Sequence, residues 1–315
     1  MKSWASKHSA PLLLVAFCIV LGVFLSLRTD SFFSVKNLIN ILEANSYRMI
    51  LAVGMMCVIT SGAIDLSVGS ILSFSAICMA VGLRAGVSVG SCALLALLTG
   101  TVLGAVNGVL VHSTRINAFI ITLATSYMYR GLSLIVTRGT PITKLPAAFR
   151  TLGCGDIFGM ESGVTAAAII VLLMIPLFYK MRWGNYIASL GGNPEALRRC
   201  GVATGRYRIS VFALSGFLAA LAGIIVTARL NSAEANAGLN MEMDAICAVI
   251  MGGTALHGGS GSLPGTVIAV FLMGMIRNGL TVLSVSSYYQ QFLTGAMLLC
   301  AVVAAELRSR RSRVG

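Results

Sequence analysis

Charged and amide side chains inside apolar runs are where this sequence could do chemistry. Asp65 stands in "TSGAIDLSVGS" (60–70), Arg130 follows a run of hydroxyls in "INAFIITLATSYMYRGLSLIVTRGTPI" (116–142), and Arg277 with Asn278 lies midway along "TVIAVFLMGMIRNGL" (266–280). An ionised group at membrane depth is costly, so each must face protein, a partner of opposite charge or water. Asp65 has two readings: it accepts from the amides that open a helix at Ser67, with glycines supplying the turn, or it touches a solute. Asn117, Thr122, Thr125, Ser126, Tyr127 and Arg130 make their run the most polar of the apolar segments, as a helix lining a wet path would be. Against that, Thr and Ser bond back to their own helix and Arg130 reaches for the nearer surface. Arg277 and Asn278 are too deep to reach the surface easily, which calls for a cavity or an acid. Glu43 and Arg48 share a run but sit five apart, on different faces, and are not expected to pair with each other.

Other chemistries lack their residues. Three histidines, His8, His112 and His257, are too scattered for a zinc site, and eight cysteines show no C-x-x-C pair, so neither a metal centre nor a disulfide framework is expected. No G-x-x-x-x-G-K-[ST], H-E-x-x-H or G-x-S-x-G occurs, so no ATPase, zinc-protease or esterase motif is present. No catalytic residue and no cofactor is assigned to the chain. A membrane-embedded enzyme would need convergent catalytic groups, and an ion-driven transporter would need a relay of membrane acids; Glu43, Asp65 and Asp244 are few and fall near the ends of the apolar runs.

The elements that must position these side chains follow from composition. The 315 residues are 57% hydrophobic and only 10% charged, where a soluble domain carries about 25% charge. Spans of about 20 apolar residues are expected near 11–27, 39–61, 67–83, 87–111, 116–137, 162–181, 210–230, 244–257, 265–284 and 289–306. The fold class is therefore all-α, a polytopic membrane protein of about ten transmembrane helices forming one domain over 1–315. The eighth segment is too short to cross and ends in the Gly-dense "GGTALHGGSGSLPG" (252–265), the pattern of a helix broken beside a solute path. Gly82, Gly86, Gly90 and Gly100, Gly104, Gly108 repeat at the spacing of small-residue packing faces.

The net charge of +13 reflects topology rather than nucleic acid, because the bases sit between apolar runs and at the termini. Lys2 and Lys7 precede the first span, Arg182, Arg198, Arg199, Arg206 and Arg208 crowd the loop after the sixth, and Arg308, Arg310, Arg311 and Arg313 end the chain. The positive-inside rule makes all three regions cytoplasmic and places the acidic "NSAEANAGLNMEMD" (231–244) outside. Within the basic loop of about 182–209, "GGNPEALRRCG" (191–201) reads as a two-turn helix. Asn193 caps it, Pro194 takes the first position, Glu195 and the Arg198–Arg199 pair complement its dipole, and Gly201 ends it.

Taken in order and spacing, "SGAIDLSVGS", "NAFIITLATSYMYRGL", "GGNPEALRRCGV", "MDAICAVIMGGTALHGGSGSLPGT" and "NGLTVLSVSSYYQQ" resemble one family over residues 37–306: the membrane permease subunits of ribose-type ABC sugar importers. The resemblance implies a chain that works with a second permease, a copy of itself or a relative. It also implies an extracytoplasmic sugar-binding protein and a cytoplasmic ATPase subunit that holds ATP and magnesium. It carries the role of ATPase coupling onto Gly192, Asn193, Glu195, Ala196, Arg198, Arg199 and Gly201. Together with polarity, it makes Asp65, Asn117, Phe119, Thr122, Arg130, Arg277 and Asn278 the candidates for the translocation pathway. Two positions depart from the family pattern: Ser260 stands where a base often follows the Gly pair, and Arg277 where Asn is frequent. A cation in the path would suit an acidic or phosphorylated solute, or pair with an acid such as Asp65. The resemblance places the chain in a bacterial inner membrane with both termini cytoplasmic.

Overall fold

The computed structural model describes residues 2–29, 32–114, 116–157 and 159–314, and their side chains apart from 2–10, 287 and 304–315. The chain runs α1 (Lys2–Arg28), α2 (Val35–Thr60), α3 (Val68–Arg84), α4 (Val89–Thr114), α5 (Ala118–Thr137), β1 (Ile142–Thr143), α6 (Ala147–Cys154), β2 (Asp156–Ile157), β3 (Met160–Glu161) and α7 (Ser162–Tyr179). It continues α8 (Arg182–Gly192), α9 (Pro194–Arg199), α10 (Thr204–Leu230), β4 (Ser232–Ala233), α11 (Met241–Met251), α12 (Leu263–Val282) and α13 (Ser287–Val314). Among the described residues, seven helices, α1, α2, α4, α5, α7, α10 and α12, are long and apolar enough to cross a membrane. Shorter apolar helices, α3 and the 288–303 stretch of α13, together with the 11-residue α11, complete the ten apolar segments expected. At about 1.5 Å per residue α11 reaches only half-way through a bilayer.

Helix ends are set by their local residues. Ser34, Asn117, Asn193 and Ser262 each accept an amide of the first turn of the helix that follows. The break between α2 and α3 falls at Ser61–Gly62, where Gly62 takes φ +77°. Two pieces of structure go beyond the expected helices: α8 is an amphipathic helix in what reads as loop, and two antiparallel ribbons, β1–β4 and β2–β3, cover the opposite end with α6.

Burial sorts the helices into centre and rim. In the most apolar windows of α2 and α10, 67% of residues are buried, against 17% in α1 and 22% in α5, so α2 and α10 form the axis of the bundle. The second glycine repeat packs α4 against that axis. A Cβ on Gly104 would lie 2.2 Å from the Phe212 carbonyl oxygen, and one on Gly216 2.1 Å from that of Gly100, so α4 and α10 meet backbone to backbone. The first repeat does not act this way. Gly86 and Gly90 have nothing within 4 Å of a Cβ position, because the run crosses the end of α3 and its residues never share one helix face.

Candidate functional site

Asp65 is wholly buried and fully engaged. Its Oδ1 accepts from the Ser67 amide at 2.9 Å and from the Ser67 hydroxyl, while Ser215 of α10 donates to Oδ2 at 3.3 Å. Asn107 Nδ2 of α4 donates to Ser67 Oγ at 2.7 Å, and the Tyr129 hydroxyl of α5 donates to Asn107 Oδ1 at 3.0 Å. The capping arrangement read from sequence is present, and it is the root of a network tying α3, α4, α5 and α10. Asn107 and Tyr129, both missed from sequence, link it to the outer helices. Asp65, Ser67 and Asn107 have no exposed surface.

The polar residues of α5 divide by face. Asn117 caps the helix by accepting from Phe119 N at 3.0 Å, and Phe119 stands on the outer surface. Thr122 is buried; its hydroxyl donates back to Ala118 O of its own helix at 2.8 Å, with Ile64 O at 3.1 Å, and accepts from Leu66 N at 3.1 Å, so it holds the turn that carries Asp65. Arg130 neither reaches for the surface nor meets an acid directly. Its guanidinium donates to the carbonyls of Ala235 and Ala237, fixing the segment that leads into α11.

Arg277 pairs with Asp244, its Nη2 lying 2.5 Å from Oδ1, and not with Asp65. Arg48 approaches the other carboxylate oxygen at 3.7 Å. Asp244 therefore does not lie at a wet span end, as its place beside the acidic loop suggested. Arg48 lies mid-way along the 26-residue α2, about 18 Å from Thr60 at 1.5 Å per residue, and Asp244 is at its depth because α11 starts inside the bundle. Two cations share one anion here. Asn45 Oδ1, Arg48 Nε and Arg277 Nη1 are buried without a hydrogen-bond partner, around a void of about 10 Å³ lined by Asn45, Arg48, Asp244 and Arg277, roughly the room one water needs. Asn278, next along the chain, exchanges two amide hydrogen bonds of 2.9 Å with Asn37 of α2. Glu43 and Arg48, as expected, do not meet: Glu43 faces Arg229 at 3.8 Å, and Arg229 also faces Glu161 at 3.9 Å. Two unpartnered arginines in mid-span were the available signal for Asp244, since each needed an acid.

At the end that carries α8 and α9, the capped segment has the form its residues dictate. Asn193 accepts from Ala196 N at 2.9 Å, Glu195 meets Arg199 at 2.8 Å, and Gly201 takes φ +78°. Leu197 alone of α9 is buried, which leaves Glu195, Ala196, Arg198 and Arg199 exposed. Beneath this helix is a backbone junction. Gly259 N donates to Thr60 O at 2.9 Å, Arg208 Nη1 donates to Ser61 O at 2.9 Å, and a Cβ on Gly191 would lie 2.1 Å from Thr60 O. The end of α8 is thus in direct contact with the end of α2 and with the turn between α11 and α12. Trp183 Nε1, donating to Ser210 Oγ at 2.9 Å, ties α8 to α10 as well.

A family model described as the permease component of the branched-chain amino acid transport system matches residues 37–302. The chain belongs to this permease family. Curated relatives agree over nearly the whole length. The ribose import permease protein RbsC of Escherichia coli (strain K12) is 39% identical over 308 residues, covering 96% of this chain and 94% of that one. The RbsC of Bacillus subtilis (strain 168) is 37% identical over 92% of this chain and 91% of its own. The D-allose transport system permease protein AlsC of E. coli (strain K12) is 34% identical over 93% and 90%. Membership of this permease family sets aside the ion-gradient and membrane-enzyme readings. With the seven long apolar helices and the shorter ones, it makes the chain a multi-pass membrane protein.

Proposed function

We propose that the chain is the permease subunit of an ATP-driven importer for a sugar or sugar-like solute, in a bacterial inner membrane with both termini cytoplasmic. The observation that carries the reading is α9: a capped, exposed helix that follows directly on the end of α8, which meets, backbone to backbone, the end of α2 and the α11–α12 turn. Such a helix is a handle. A separate ATPase subunit, holding ATP and magnesium, grips α9, a binding protein delivers solute at the ribbon end, and a second permease chain completes the channel. This chain supplies no nucleotide site of its own.

Motion follows from the contacts. A shift of α8–α9 must carry Gly191, and with it the Thr60 and Gly259 backbones, so α2 and the half-helix α11 move together. Those two helices, with α12, hold Arg48, Asp244 and Arg277; a drive from the α9 end therefore reaches the polar centre of the bundle. ATP shifts the equilibrium only through its differential affinity for the two arrangements.

The test is co-purification of the importer's ATPase subunit with wild type, Glu195→Ala and Gly201→Pro, followed by ATP hydrolysis with binding protein added. Proline fixes φ near −65° and cannot take the +78° of Gly201, so this variant should lose assembly or coupled hydrolysis. Full coupling in both variants would remove α9 from the drive contact.

A further inference from the structure

Beside α9, an open cavity of about 480 Å³ is lined by His112, Arg198, Thr204 and Arg206 together with Val202 and Ile209. Its walls are the last turn of one span, α4, and the first turn of another, α10. No carboxylate lines it, and the acid nearest in sequence, Glu195, is engaged by Arg199 at 2.8 Å. Among the described residues, neither Arg198 nor Arg206 has an acidic partner. Two guanidinium groups with an imidazole and a hydroxyl make a donor set suited to a phosphate, which arginine binds through paired N–H groups.

The apolar surface that leads away from this cavity decides the source of the phosphate. Leu98, Val102, Val106 and Val109 of α4 are exposed by 54%, 57%, 44% and 47%, and spacings of four, four and three keep them on one face, with His112 three residues further on. The stripe is an apolar face that an acyl chain could follow, and it ends at the basic cavity. Basic pockets between spans at the cytoplasmic surface hold anionic lipid headgroups. We propose that this cavity is a binding site for an anionic phospholipid, its phosphate held by Arg206 with His112 and Thr204 and its chain laid along α4. Placed against the handle helix, the lipid would steady the joint between α9 and α10.

The full-length chain, purified in detergent, is titrated with phosphatidylglycerol and with phosphatidylcholine of the same acyl chains, and retained lipid is counted by native mass spectrometry. One phosphatidylglycerol is expected to outlast phosphatidylcholine. Arg206→Gln should weaken its retention about fivefold, the effect of about one surface cation near an anionic lipid, and His112→Gln/Arg206→Gln should weaken it further. Arg84→Gln, which removes an exposed charge elsewhere, should leave it unchanged. Millimolar inorganic phosphate should not displace the lipid. Equal retention of both lipids, equal loss in Arg84→Gln, or an unchanged double variant would overturn the proposal. Displacement by inorganic phosphate would make the cavity a free-anion site. If the double variant instead lost the ATPase subunit while keeping its lipid, the cavity would be a contact for an acidic protein surface, and the lipid proposal would fall.

Discussion

Among the described residues, Asp244 is the acid that meets two half-buried arginines, and its removal should cost more than the removal of either. Breaking a buried ion pair by deleting one partner costs about 3–5 kcal/mol, because the other charge is left unpaired. Asp244→Ala strands Arg48 and Arg277 together and, in a cluster that is only partly exposed, should approach that range, whereas Arg277→Gln leaves the Arg48–Asp244 pair and should cost less. Thermal unfolding of the variants in one detergent checks the order; if Asp244→Ala melts with wild type, the cluster does not hold α2, α11 and α12 together. The same geometry changes what Arg277 says about the solute. With its charge met by Asp244, Arg277 does not require an acidic cargo, and neutral-sugar uptake that survives Arg277→Glu would further separate the residue from the choice of solute. What was legible at this scale was local. The cap of Asp65 on Ser67 depends on two residues of spacing and can be read from sequence, while the partnership of Asp244 depends on its depth. Depth is hidden wherever a helix starts inside the bundle.

Elements were legible when their stop signals were strong. Asn193, Pro194 and Gly201 announce α9, whereas α8 was read as loop because Arg182, Asn185, Gly191 and Gly192 dilute its apolar face and its burial comes from packing against α2, α7 and α10. The glycine repeats show the same limit, since spacing alone could not separate a packing face from a loop. A pair of substitutions makes the difference measurable. Gly104→Leu would drive a side chain into the Phe212 carbonyl and force α4 from α10, so it should abolish a monodisperse folded peak in size-exclusion chromatography. Gly90→Leu, with open space around it, should behave as wild type. Equal behaviour of the two would mean that α4 and α10 do not meet at Gly104.

For the whole molecule the governing question is which end faces the cytoplasm, because the basic loop, α9 and the basic cavity all lie at one end and the ribbons at the other. The positive-inside rule and the proposed ATPase contact depend on the same answer, and a single native cysteine can supply it. Cys200 is exposed at the end of α9. A variant keeping only Cys200 should resist a membrane-impermeant maleimide in cells with a permeable outer layer and an intact inner membrane, and label in inverted vesicles. Gly139→Cys in a cysteine-free background, placed on the exposed turn after α5 at the ribbon end, should label from outside in the same cells. The reverse pattern would put α8 and α9 beyond the reach of any cytoplasmic ATPase. In that case the capped helix would have to serve the binding protein instead, and the bases around it would lie against the outer leaflet, where the proposed drive contact could not form.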